Sequence, residues 1–220
     1  MPDSYQGHIE EVNADLVVIT RFVGSAMNQA TQSLLDADLS LAEKVIESDA
    51  RIDTLCSSVE ERCFDIICLG RPSETDLRLV IGALRIATSL ERMGDLAEHI
   101  AKQARMRYPK PSVPQELRAT FAIMGGVAEA IVSKTGSVIA TRDVSLATDI
   151  GHHDAEMDHL HRELFTIVLS PSWKHGVEAA IDVTLLSRYY ERYADHAVSV
   201  TRRVINVVTG APYVAVDITS

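Results

Sequence analysis

The chain has 220 residues with 21 Lys and Arg against 31 Asp and Glu, and its net charge of -10 excludes nucleic acid, whose phosphate backbone needs a basic surface. A hydrophobic content of 46% with 24% charged residues excludes a disordered chain and fits an ordinary globular one. No run approaches the roughly 18 apolar residues of a membrane span, and residues 1–8 lack a charged segment leading into an apolar one, so a cytoplasmic location is expected.

Periodicity is helical from end to end. Ile9, Val12, Leu16, Ile19 and Val23 recur at three- and four-residue steps and predict a first helix over 8–37. Asp38, with a box of Ser40 and Glu43, starts a second over 40–69 that carries Leu41, Val45, Ile52, Leu55 and Val59. Gly70-Arg71-Pro72-Ser73 divides it from a third over 74–107. A proline-rich stretch at 108–114 marks mid-chain, and helices follow over 115–141, 144–169 and 173–209. Thr141-Arg142-Asp143 and Ser170-Pro171-Ser172 separate them, and Gly210-Ala211-Pro212 closes the last. Few aromatics and few alternating β-branched runs lean away from sheets. Cys56, Cys63 and Cys68 read as small hydrophobes of a reduced core, and Gly94 and Gly125-Gly126 as close helix contacts.

The two halves are copies. Residues 38–55 align with 143–160 at a shift of 105, and eight of the 18 positions are identical. In the third helix of each half the shift is 100, and Glu91, Arg92, Asp95 and Ala97 match Glu191, Arg192, Asp195 and Ala197. The expected fold is all-α, six helices in two tandem three-helix bundles, over residues 1–110 and 111–220, related by a pseudo-twofold repeat.

What the repeats preserve is mainly acid. Asp49 and Asp53, Asp154 and Asp158, Glu91 and Asp95, and Glu191 and Asp195 are each four apart, so each pair points one way from its helix. Like charges at that spacing cost a helix about 0.2–0.5 kcal/mol per pair. A solvated acidic face or structural salt bridges would explain them, but these acids interrupt apolar stripes. If the second and third helices of each half pack antiparallel through those stripes, four carboxylates meet at one seam, where a multivalent cation is the better partner. Cys56 and His161, each seven residues beyond the first Asp of its half, occupy equivalent positions and are further candidate ligands, as is His99 beyond Asp95. Without the eight paired acids, 23 carboxylates face 21 bases, so most of the net charge belongs to these sites.

Three segments resemble the paired signatures of the PhoU family: Leu90-Glu-Arg-Met-Gly-Asp-Leu-Ala97, the lead-in Pro72 to Arg78, and Tyr190-Glu-Arg-Tyr-Ala-Asp-His-Ala-Val198. The ending Val207-Val-Thr-Gly210 is similar too. The resemblance runs from about Tyr5 to Gly210. It implies two three-helix bundles and multinuclear metal clusters on the acidic motifs. Asp49, Asp53, Glu91 and Asp95 would form the first site, and Asp154, Asp158, Glu191 and Asp195 the second. The ions implied are divalent or transition metals, iron, zinc, manganese or magnesium. Leu96 and His99 stand where the family often has His and Asn.

The same resemblance implies a regulator without catalysis, one that relays the state of the high-affinity phosphate ABC transporter to a membrane sensor histidine kinase. It would keep the phosphate-starvation response off when phosphate is plentiful. Its partners would be the transporter's ATPase subunit, the kinase and, as a further option, a second copy in a homodimer. A carboxylate-bridged di-metal oxidase of ferritin-like kind is the enzyme alternative, but it needs two inward Glu-x-x-His motifs and this chain has one, Glu156 with His159. A metal-free helical adaptor is the third.

Overall fold

The computed structural model describes residues 3–68 and 72–210. Six helices follow in chain order: α1 (Asp3–Asp36), α2 (Leu39–Cys68), α3 (Glu74–Arg107), α4 (Arg118–Thr141), α5 (Ala147–Val168) and α6 (Gly176–Thr209). Single 3-10 turns, Gln115–Leu117 and Val144–Leu146, lead into α4 and α5, so those two helices start later than their apolar period predicts. The expected breaker Gly70-Arg71 and the stop at Ala211-Pro212 lie outside the described residues.

The duplication extends to the turns. Ala37 and Arg142, equivalent in the repeats, both take left-handed φ, 51° and 55°, to end α1 and α4. Each is followed by an aspartate that caps the next turn. Leu41 N–H donates to Asp38 Oδ1 at 3.0 Å, and Ser145 N–H to Asp143 Oδ1 at 2.9 Å. The reciprocal capping box is at α3 rather than at Ser40. There, Asp76 N–H donates to Ser73 Oγ at 3.1 Å and Ser73 N–H to Asp76 Oδ2 at 3.0 Å.

Each half packs as a three-helix bundle, and the halves meet through equivalent helices, α1 on α4 and α3 on α6. A pseudo-twofold arrangement follows from that pairing, because two of the three helices in each half meet their own counterparts. Buried apolar side chains from Val12 to Val204 form one cluster drawn from all six helices. Gly125 of α4 lets α1 approach closely, since a Cβ there would stand 2.5 Å from Thr31 Cγ2. Gly126 faces open space, so only the first of the expected glycine pair serves a contact. Cys56 and Cys63 are buried, whereas Cys68 is exposed near the end of α2 and is no part of the core. Among the described residues one stretch, Gln115–Thr141, is long and apolar enough by composition to cross a membrane, and half of its apolar window is buried within the bundle.

Candidate functional site

The α2/α3 seam runs in one antiparallel register. The Cys63 thiol approaches the Val80 carbonyl at 3.9 Å, and the Cys56 thiol donates to the Ala87 carbonyl at 3.5 Å. Further along the same seam, Asp49 Oδ1 lies 3.0 Å from the point where a Cβ on Gly94 would stand. Gly94 sits between Glu91 and Asp95, so its missing side chain is what lets Asp49 reach α3. The second half repeats the register: His161 Nδ1 and Ser187 Oγ, equivalent to Cys56 and Ala87, are 3.0 Å apart.

Electrostatics show which acids face one another. Burial raises the Asp49 carboxyl to about 6, with Asp53, Glu98 and Asp95 adding to the effect and Lys102 opposing it. Asp53 is raised by burial, then by Asp95 and Glu98. Glu91 is raised by burial and Asp53, against Arg92. In the second site burial raises Asp154 to about 6, helped by Asp158 and Asp195 and opposed by Arg202. Glu191 is raised by burial and by Asp195. Its one oxygen accepts from Arg188, while its other, Oε2, is buried with no hydrogen-bond partner among the described residues. The two sites thus have the same physical character, carboxylates held above their usual range by desolvation and by one another.

The structure brings the eight paired acids to the two seams with unequal depth. Asp49, Glu91, Asp95, Asp154, Asp158 and Glu191 are partly buried, but Asp53 and Asp195 are exposed at the seam edge. Among the described residues no three His, Cys, Asp or Glu side chains are grouped closely enough to hold an ion. Like charges repel one another across the seam, and Asp95 is paired with Arg92 at 2.8 Å. The donor set nevertheless fits a hard cation: oxygen ligands from facing helices and one desolvated carboxylate oxygen, Glu191 Oε2, that lacks a partner.

The three further candidates fare differently. Burial first, then Glu91 and Asp53, push the Cys56 thiol up to about 12, so it remains a protonated donor to Ala87. Burial and then Arg188 lower the His161 imidazole, against Asp158, and its Nδ1 is engaged by Ser187. His99 does not face its seam: it stacks on Tyr189 of α6, centroids 5.3 Å apart at 22°. Three site residues escaped the sequence reading. Glu98 faces Asp49 and Asp53, Lys102 offsets Asp49 while pairing with Glu98 at 2.5 Å, and Arg202 offsets Asp154 and Asp195. Glu98 lies seven residues beyond Glu91 and was detectable on that spacing. Lys102 and Arg202 are repeat equivalents toward the C-terminal ends of α3 and α6, and which acids they offset depends on how the helices pack.

A family model described as the PhoU domain matches the chain twice, over residues 16–104 and 121–204. The chain is 45% identical to "Phosphate-specific transport system accessory protein PhoU homolog 2" of Mycobacterium tuberculosis, covering 96% of this chain and 99% of that protein. It is 43% identical to "Phosphate-specific transport system accessory protein PhoU homolog 1" of Mycobacterium leprae, covering 96% and 95%. Among solved structures it is similar to PhoU from Pseudomonas aeruginosa, with a TM-score of 0.85 at 26% identity over 94% of this chain and 100% of that one.

Proposed function

The chain belongs to the PhoU family, and on that premise we propose that it restrains the phosphate-starvation response from the cytoplasm, linking the ATPase subunit of a phosphate ABC transporter to a sensor histidine kinase. Its relatives are named accessory proteins of the phosphate-specific transport system, which supports a general role in phosphate transport regulation and is consistent with a protein that is not an enzyme. One observation carries the reading: likeness to those proteins spans 96% of the chain, including both acidic repeats. Deleting the gene tests it. Starvation genes should then be expressed in high phosphate, and a deletion strain that still silences them would refute the proposal.

Metal enters the proposal through the two seams. Asp49, Asp53, Glu91 and Asp95, with Glu98 beside them, would hold ions in the first site, and Asp154, Asp158, Glu191 and Asp195 in the second. A bound cation would supply the positive charge that offsets the carboxylates facing one another across the α2/α3 and α5/α6 seams. The chain's own residues shape the sites: Gly94 admits Asp49, and Lys102 and Arg202 partly offset the acids in their turn. Metal bound only to the folded form stabilises it by RT ln(1+[L]/Kd). Elemental analysis of purified protein should find iron, zinc, manganese or magnesium, and the double variant Glu91→Ala, Glu191→Ala should lose it.

The competing reading is a metal-free adaptor, favoured by the separation of the carboxylates among the described residues. A melting temperature indifferent to chelator would decide for it. Glu156 and His159, the lone Glu-x-x-His, are both exposed on α5, and no oxidase is proposed.

A further inference from the structure

A row of cations crosses the outer face of the α3/α6 pair. Arg85 and Arg92 of α3 and Arg188 and Arg192 of α6 are all exposed, in a chain whose net charge is -10. The His99–Tyr189 stack fixes how the two helices face one another. Half-buried His196 of α6 has Arg192 of its own helix and Arg92 of α3 among its charged neighbours, along with Asp95. Because α3 packs on α6, guanidinium groups from the two halves lie beside one seam. Arg92 and Arg192 are repeat equivalents, so the pseudo-twofold passes between them.

Their pairing is incomplete. Arg85 and Arg192 make no ion pair among the described residues. Arg92 pairs only with Asp95, at 2.8 Å, and Arg188 only with Glu191, each on its own helix. The guanidiniums stay substantially exposed, with 57% of the Arg92 side chain and 51% of the Arg188 side chain open to solvent.

We propose that this α3/α6 face docks an acidic segment of a partner protein, its Asp and Glu carboxylates lying along the arginine row. Guanidinium forks match carboxylates bidentately. Arg85 and Arg92 alone are spaced by about 10 Å along α3, a span that suits a run of side chains and exceeds a single small anion. Four exposed guanidiniums on one face supply the charge complementarity that sets where such a segment binds. Control of the surface rests on the metal reading above: a cation that takes the Asp95 and Glu191 carboxylates releases Arg92 and Arg188, and the acidic segment then binds more tightly.

Fluorescence anisotropy with a labelled octaglutamate peptide and the full-length protein tests this at low and at physiological salt. The wild type should bind, more weakly as salt rises. Arg85→Glu with Arg192→Glu, which leaves both site ion pairs in place, should weaken binding by about tenfold or more, with helicity by circular dichroism unchanged. Arg21→Glu with Arg142→Glu, on the α1/α4 side, should leave binding as it is. Failure of the wild type to bind, or binding indifferent to the Arg85/Arg192 variant, overturns the inference. Competition by inorganic phosphate alone, or capture on phosphatidylglycerol vesicles without peptide binding, overturns it as well. Binding that is lost in the variant yet unchanged by manganese or chelator supports the docking surface and refutes the metal reading.

Discussion

Gly82 and Asp182 hold the same place in the two repeats and sit at opposite ends of the α3/α6 pair, closing it by opposite means. At Gly82 a Cβ would stand 2.6 Å from Val207 Cγ2, so the contact depends on the absence of a side chain. Asp182 is 4% exposed and accepts from Gln103 Nε2 at 2.6 Å and from Arg107 Nε and Nη2 at 2.6 and 2.9 Å. Gln103 and Arg107 are themselves the counterparts of Arg203 and Val207. One end of the pseudo-twofold is sealed by close packing and the other by a buried polar cluster joining the halves.

Asp182→Ala leaves Gln103 and Arg107 without their shared acceptor and should cost about 2–4 kcal/mol. Gly82→Ala forces Val207 to move and should cost about 1–3 kcal/mol. Urea unfolding measures both. An Asp182→Ala midpoint equal to that of the wild type would show that the cluster does not hold the halves together.

Two neighbouring tyrosines of α6 should respond in opposite ways to loss of their hydroxyls. Tyr190 Oη lies 2.7 Å from Thr31 Oγ1, across the gap that Gly125 leaves between α1 and α4. Tyr190→Phe should destabilise by about 0.5–1.5 kcal/mol. The Tyr193 hydroxyl is buried with no partner among the described residues. Tyr193→Phe removes a desolvated polar group and should be neutral or stabilising. Thermal melts of the two variants side by side would expose a misassignment, since equal losses contradict it.

The contribution of Asp49 and Asp154 to the stability of the metal-free protein should fall as pH rises from about 4 to about 7. Asp49 and Asp154 are raised from an ordinary 3.8 to about 6 in the fold, so the folded state binds their protons more tightly than the unfolded state does. Their contribution is fully present below the unfolded value and lost as pH passes through the folded value. Saturating manganese should flatten this dependence, because ion binding replaces the proton. Melting temperatures measured across this range with chelator and with manganese make the comparison, and a rise toward neutral pH in chelator would contradict it.

Gly94→Ala should act on one site only. The new Cβ would meet Asp49 Oδ1 at 3.0 Å and Ile52 Cδ1 at 3.1 Å, and its counterpart is already Ala194. We expect weaker metal binding at the first site, unchanged binding at the second, and a loss of about 1–3 kcal/mol from overpacking. Calorimetric titration that still shows two equal sites would count against the assignment of Asp49.

Much of this molecule is legible along the chain. The three- and four-residue recurrence of Ile9, Val12, Leu16 and Ile19 depends only on helix geometry, so the six helices follow from it. The repeat and its paired acids are equally local, because Asp49 and Asp53 share a face wherever α2 is placed. The halt comes at distances between helices. Nothing in α3 alone says that Glu98 faces Asp49 or that His99 turns to Tyr189, since both residues lie on plausible faces of one cylinder.

The amino-acid order by itself determined the helices, the duplication, the cap at Asp38 and the concentration of acid in four pairs. Each of those depends on residues within one or two turns of one another, or on likeness between segments. Tertiary structure alone decided the register of α2 on α3, which places Asp49 against Gly94 and Cys56 against Ala87. It also decided that Lys102 and Arg202 serve the acidic seams, and that Asp182 meets Gln103 and Arg107 of the other half. The physical reason is that helical periodicity specifies which side of a helix a residue occupies, while its partner across the seam depends on how far one helix slides and turns against another, which side-chain packing sets.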